Sequence, residues 1–162
     1  MKIAIMGFSG SGKSTLAKQL SDIYNTPLLY LDCVNFEENW VERDRAECKK
    51  MVYAFMQNDS WVIDGNYSEM YQAERLEQAD KIIILCYNRF VCMKGAFKRN
   101  HDYKGKVRES MAEGCKERMD FWFFTWVVFK QYSRKRKNNV KSIKNKYPDK
   151  TVIFKNRKQL NA

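Results

Sequence analysis

Nine residues, Gly7-Phe8-Ser9-Gly10-Ser11-Gly12-Lys13-Ser14-Thr15, crowd three glycines, four hydroxyl side chains and one lysine into a single turn. The spacing is Gly7-x4-Gly12-Lys13-Ser14. Glycines there let backbone N–H groups close on phosphate oxygens, the lysine reaches back toward the outer phosphates, and the serine hydroxyl suits Mg²⁺. A plain glycine-rich turn is the alternative. Candidate ligands for a bound nucleotide are therefore Gly7, Ser9, Gly10, Ser11, Gly12, Lys13, Ser14 and Thr15.

Such a loop needs a strand before it and a helix after it. "KIAIM" at 2–6 reads as the strand, and Leu16, Ala17, Leu20 and Ile23 fall at helical spacing. Further strands are expected at 27–31, 61–64, 81–86 and 151–155. Helices are expected at 13–24, about 42–57, 69–78, 88–100, 117–134 and 137–146, with Cys48, Met51, Val52 and Phe55 as the apolar stripe of the second. Near-continuous apolar strands alternating with helices predict a three-layer α/β domain spanning 1–162, with a parallel sheet covered on both faces. Ligands then collect beyond the C-terminal ends of the strands.

Asp32, Asp64 and Asn88-Arg89 fall at those ends. Asp64, in "WVIDGNY", is the expected acidic partner of Ser14 at the metal, or else caps its turn. Asp32 could meet an acceptor hydroxyl, join the metal shell, or simply form a turn. Residues 98–118 are basic and punctuated by glycine, which suits a lid over about 100–116 that closes on phosphates, or a solvated loop. The segment 121–129, "FWFFTWVVF", reads as core packing, with a dimer face or an acceptor-pocket wall as alternatives.

The net charge of +11 is carried unevenly. Residues 130–162 hold 12 basic and 1 acidic side chains, while 1–80 are net acidic. This basic end, a helix and final strand over 130–158, is expected to attract nucleic acid weakly and without sequence preference. No apolar run reaches the ~20 residues of a membrane span, and the first apolar run is too short for a signal peptide. Five irregularly spaced cysteines and one histidine fit free thiols in a reducing cytoplasm better than zinc.

In order along the chain, the phosphate loop, "VIDG", and "KRN" at 98–100 resemble the nucleoside monophosphate kinase superfamily. "YLD" at 30–32, "WVERDR" at 40–45, "SWVIDGNYS" at 60–68, "NRF" at 88–90 and "MAEGC" at 111–115 resemble the topology modulation (FlaR-type) proteins within it. The resemblance implies a P-loop fold with five parallel strands in the order 2-3-1-4-5, and ATP and Mg²⁺ as cofactors. It also implies that Arg99 flanks the nucleotide and that Arg108 lies in the lid. After Asp64-Gly65 this chain lacks the arginine with which adenylate kinases grip an acceptor phosphate, so Arg43 or Arg45 is the candidate substitute unless both are surface residues. The expected activity is ATP-dependent phosphoryl transfer to a small-molecule or nucleotide acceptor. Lys13, Arg99 and Arg108 would be catalytic, Ser14 and Asp64 would hold metal, and Asp32 and Arg43 would contact substrate. Nucleotide-regulated DNA binding and a slow ATPase switch are the rival functions.

Overall fold

The computed structural model describes residues 1–117, 125, 127, 128 and 130–160. Five strands form one parallel sheet: β1 (Lys2–Gly7), β2 (Leu28–Tyr30), β3 (Trp61–Asp64), β4 (Lys81–Leu85) and β5 (Thr151–Phe154), in the order β2-β3-β1-β4-β5. Parallel neighbours cannot be joined by tight hairpins, so the chain crosses over through helices that cover both faces. These are α1 (Lys13–Tyr24), α2 (Leu31–Asn35), α3 (Arg45–Met56), α4 (Gln72–Gln78), α5 (Arg89–Asp102) and α6 (Arg134–Lys146).

Alternation along β1 assigns the layers. Ala4 and Met6 join Trp61, Ile63, Ile82 and Ile84 under α2, α3, α4 and α6, whereas Ile3 and Ile5 join Val62 and Leu85 under α1 and α5. Helix starts are capped locally: the Asp44 carboxylate accepts from Ala46 and Glu47 N–H, and the Asn88 side chain accepts from Val91 N–H.

Several details depart from the sequence pattern. The expected second strand ends at Tyr30, and the fully buried Leu31 begins α2, so Asp32 lies in a helical first turn rather than on a strand end. The buried stripe of α3 is Cys48, Val52 and Met56, with Met51 turned out to solvent. Helix α4 begins at Gln72, because Tyr71 at φ 54° caps it in the left-handed region. The helix expected over 117–134 falls mostly outside the described residues. At its two ends, Glu117 pairs with Lys104 in an isolated bridge and Lys130–Tyr132 form a single 3-10 turn.

One helix contact sets the position of the phosphate loop. Gly95 of α5 packs against the loop backbone so closely that an added Cβ would sit 2.1 Å from the Gly10 carbonyl oxygen. The reverse holds too, since a Cβ on Gly10 would lie 2.0 Å from the Cys92 carbonyl oxygen. Both neighbours are backbone and cannot step aside. Gly95→Ala is therefore expected to cost about 1–3 kcal/mol and to lower the melting temperature by several degrees. A thermal melt checks this, and an unchanged midpoint would contradict it.

Candidate functional site

The loop after β1 is shaped by donors that converge on one carbonyl. Phe8 O accepts from Ser11 N–H at 3.2 Å, from the Ser11 hydroxyl at 2.6 Å and from Lys13 Nζ at 3.2 Å. Ser11 thus spends both donors inside the loop. Gly10 at φ 79° and Gly12 at φ 95° turn the chain through the left-handed region, and Gly12 caps α1 without any side-chain acceptor. The first-turn N–H groups of α1 therefore have no side-chain cap, an arrangement that suits an anion.

Two carboxamides hold the loop from outside. Asn66 accepts from Gly7 N–H at 3.0 Å and donates to Gly7 O at 2.7 Å. Gln131, with no exposed surface, accepts from Ser9 N–H at 2.7 Å and donates to Val127 O at 2.6 Å. Each pins a loop residue whose φ/ψ would otherwise cost conformational entropy to fix.

Parallel register places the acidic partner. Asp64 stands opposite Ile5, and the Ser14 hydroxyl donates to its Oδ2 at 2.7 Å. The second oxygen, Oδ1, is buried without a hydrogen-bond partner. Burial pushes the carboxyl up from the usual range, while Lys13 and the Ser14 hydroxyl pull it back down. A buried carboxylate oxygen without a donor, next to a serine hydroxyl, is a donor set of the hard-oxygen type that Mg²⁺ takes. Ser14 and Asp64 fit the metal.

These groups open onto a cavity of about 550 Å³. Ser9, Lys13, Ser14 and Asp64 form its floor, Asp32, Phe36 and Trp40 one wall, and Gly65 to Glu69 another. Arg99, Arg108, Met111 and Glu117 cover it, and Arg136 joins from α6. Tyr67 donates to Asp32 Oδ1 at 2.8 Å and so ties the two walls together. Above them a single carboxylate organises two guanidinium groups. Glu117, only 3% exposed, accepts from Arg99 Nε at 2.8 Å and from Arg108 Nε at 2.7 Å. The cover is fastened to the wall by Trp40, whose N–H reaches Cys115 Sγ and whose indole reaches Lys116 O, both at 3.2 Å.

The cavity thus gathers Lys13, Ser14, Asp32, Asp64, Arg99 and Arg108. It does not gather Arg43, which donates to Val34 O at 3.0 Å and pairs with Glu47 and Glu37 away from the cavity. Arg45 is likewise engaged, with Asn35, Glu42 and Glu69. Gly7, Gly10, Gly12 and Thr15 shape the loop and helix start without lining this cavity. Sequence reasoning did not single out Asn66, Tyr67, Glu117, Gln131 or the buried Arg75. For Asn66 and Tyr67 a signal existed, since both immediately follow Asp64-Gly65.

No family model matches this chain, and no curated protein does. Among solved structures, a gluconokinase from Sinorhizobium meliloti 1021 aligns with TM-score 0.53 and 16% identity over 95% of this chain and 81% of that one. A shikimate kinase from Bacteroides thetaiotaomicron aligns with TM-score 0.46 and 14% identity, covering 96% and 86% of the two chains. The likeness is one of fold. This chain shares the five-stranded parallel, three-layer α/β architecture of that gluconokinase.

The buried Asp64 carboxylate yields a pH-dependent expectation. Its folded pKa is raised above the unfolded one, so the group costs nothing well below about pH 4. Its cost grows as pH rises from the unfolded value toward the folded one and is complete above it. In EDTA, Asp64→Asn is expected to raise the melting temperature near neutral pH and to do little in acid. Melts at two pH values check the sign, and a variant less stable at neutral pH would contradict it.

Proposed function

We propose that this chain is an ATP- and Mg²⁺-dependent phosphotransferase acting on a small-molecule or nucleotide acceptor. The observation that carries the reading is convergence. One cavity receives the phosphate loop, a buried carboxylate with an unpartnered oxygen beside Ser14, and an arginine pair held by one glutamate.

In this reading the α1 N-terminus and Lys13 take the outer phosphates of the nucleotide, and Ser14 with Asp64 holds Mg²⁺. Bound there, the metal would draw charge from the phosphate oxygens. Arg99 and Arg108 face the transferred group with their positions already set by Glu117, so little reorganisation remains when charge develops. Asp32, its Oδ1 held by Tyr67, accepts a hydrogen bond from the acceptor hydroxyl. The cover formed by residues 103–117 excludes water, which limits hydrolysis. Phosphoryl transfer asks a protein mainly for positioning and electrostatics, and these residues supply both.

The five thiols, none of them in a disulfide, favour a reducing, cytoplasmic setting. Among the described residues no helix is long and apolar enough to cross a membrane. A second reading, DNA binding, draws on α6, where Arg134, Lys135, Lys137 and Lys141 are exposed. Such a face attracts polyanions at low ionic strength, whatever the task of the cavity. Arg136 stands apart from it, because it is half-buried and lines the cavity.

Transfer from labelled ATP to a panel of small acceptors tests the proposal. Lys13→Ala should abolish turnover while leaving the melting temperature near that of the parent. Arg108→Ala should lower kcat by about a thousandfold with little change in ATP affinity. Normal turnover in Lys13→Ala would refute the reading.

A further inference from the structure

The chemistry of the acceptor follows from which charges the cavity walls turn inward. Two segments build the side of the cavity away from the phosphate loop, one after β2 and one after β3. They contribute the carboxylates of Asp32 and Glu69 and the rings of Phe36, Trp40 and Tyr67. They contribute no cation. Phe36 and Trp40 meet edge to face, with centroids 5.3 Å apart.

The arginines nearest these segments are all engaged, and none of them lines the cavity. Arg43 holds Val34 O and pairs with Glu47 and Glu37. Arg45 holds Asn35 and pairs with Glu42 and Glu69. Arg75 is fully buried and donates to the carbonyls of Met70, Gly65 and Tyr67, at 2.9, 3.5 and 2.7 Å. Burial lowers its pKa to about 10, so it still carries charge, but that charge is spent on the loop backbone.

The remaining cations of the cavity already have work in the proposed reaction. Lys13, Arg99 and Arg108 serve the nucleotide phosphates and the transferred group, and Glu117 offsets one charge of the arginine pair. Arg136 stands on the loop side, where it also lines a second cavity together with Gly7, Phe8 and Asn66. A phosphate on the acceptor would face the carboxylates of Asp32 and Glu69, and the guanidinium beside Glu69, that of Arg45 at 3.7 Å, does not line the cavity. Placing like charges together in a half-enclosed site disfavours binding.

Resting on the phosphotransferase reading, we infer that the acceptor is an unphosphorylated hydroxyl compound, neutral or cationic, with a flat or apolar face for the aromatic wall. A nucleoside, a sugar or an amino sugar has this chemistry, whereas a nucleoside monophosphate does not. The acidic wall therefore acts by exclusion as well as by attraction.

Matched pairs test this: adenosine against AMP, cytidine against CMP, glucose against glucose 6-phosphate, and glucosamine against its 6-phosphate. Each is added to the protein with Mg²⁺ and ATP, and ADP formation is followed. In at least one pair the unphosphorylated member should accelerate ADP formation at least about tenfold more than its phosphate. Glu69→Gln should narrow the gap within that pair. Greater acceleration by the phosphorylated members would overturn the inference, and so would no acceleration by any unphosphorylated member. ATP affinity, measured separately by titration in Mg²⁺, distinguishes the two failures. Intact ATP binding with the wrong acceptor preference condemns only the acceptor class, whereas absent ATP binding condemns the phosphotransferase reading itself.

Discussion

Everything at this site depends on holding one turn of backbone in place. The turn after β1 exposes its amides by passing through left-handed conformations at Gly10 and Gly12, and an unsupported segment would relax. Support comes from three directions at once. Asn66 brackets Gly7, Gln131 brackets Ser9, and the glycine face of α5 lies directly on Gly10. The hydroxyl of Ser11 and the amine of Lys13 then close the turn on Phe8 O. The loop is thus preorganised by contacts from elsewhere in the fold, as the proposed phosphate binding requires.

Buried charge is the second organising feature, and each instance is resolved differently. Arg75 satisfies itself on three carbonyls and fixes the chain that follows β3. Glu117 satisfies itself on two arginines and fixes the cover. Asp64 keeps one oxygen without a partner, and burial raises its pKa accordingly. The first two arrangements are internally balanced, which suits positioning. The third is unbalanced, which suits a cation ligand.

The fold was largely legible in the chain because its signals are local. Gly7-x4-Gly12-Lys13-Ser14 between a five-residue apolar strand and an amphipathic helix predicts β1 and α1, and "WVID" and "KIIIL" read as buried parallel strands. Asp64 was legible for the same reason, since a strand end has a defined place. Asp32 was harder, because Leu31 starts a helix one residue early to fill the core. What stayed hidden depends on tertiary contact. Glu117 reads as one acid in a basic stretch until the fold brings Arg99 and Arg108 to its two oxygens, and Gln131 lies 122 residues from the Ser9 backbone it clamps. Arg43 is the opposite case, a plausible ligand by residue type whose side chain is engaged with Val34 O and Glu47 outside the cavity lining.

In the proposed reaction Ser14 and Asp64 act as one metal-holding unit beneath the nucleotide. A double-mutant cycle in ATP affinity, using Ser14→Ala, Asp64→Asn and the pair, isolates that unit. The four proteins are titrated with ATP once in Mg²⁺ and once in EDTA. A coupling of at least about 1 kcal/mol is expected with Mg²⁺, and it disappears in EDTA. Equal coupling under both conditions, or none in either, would contradict it.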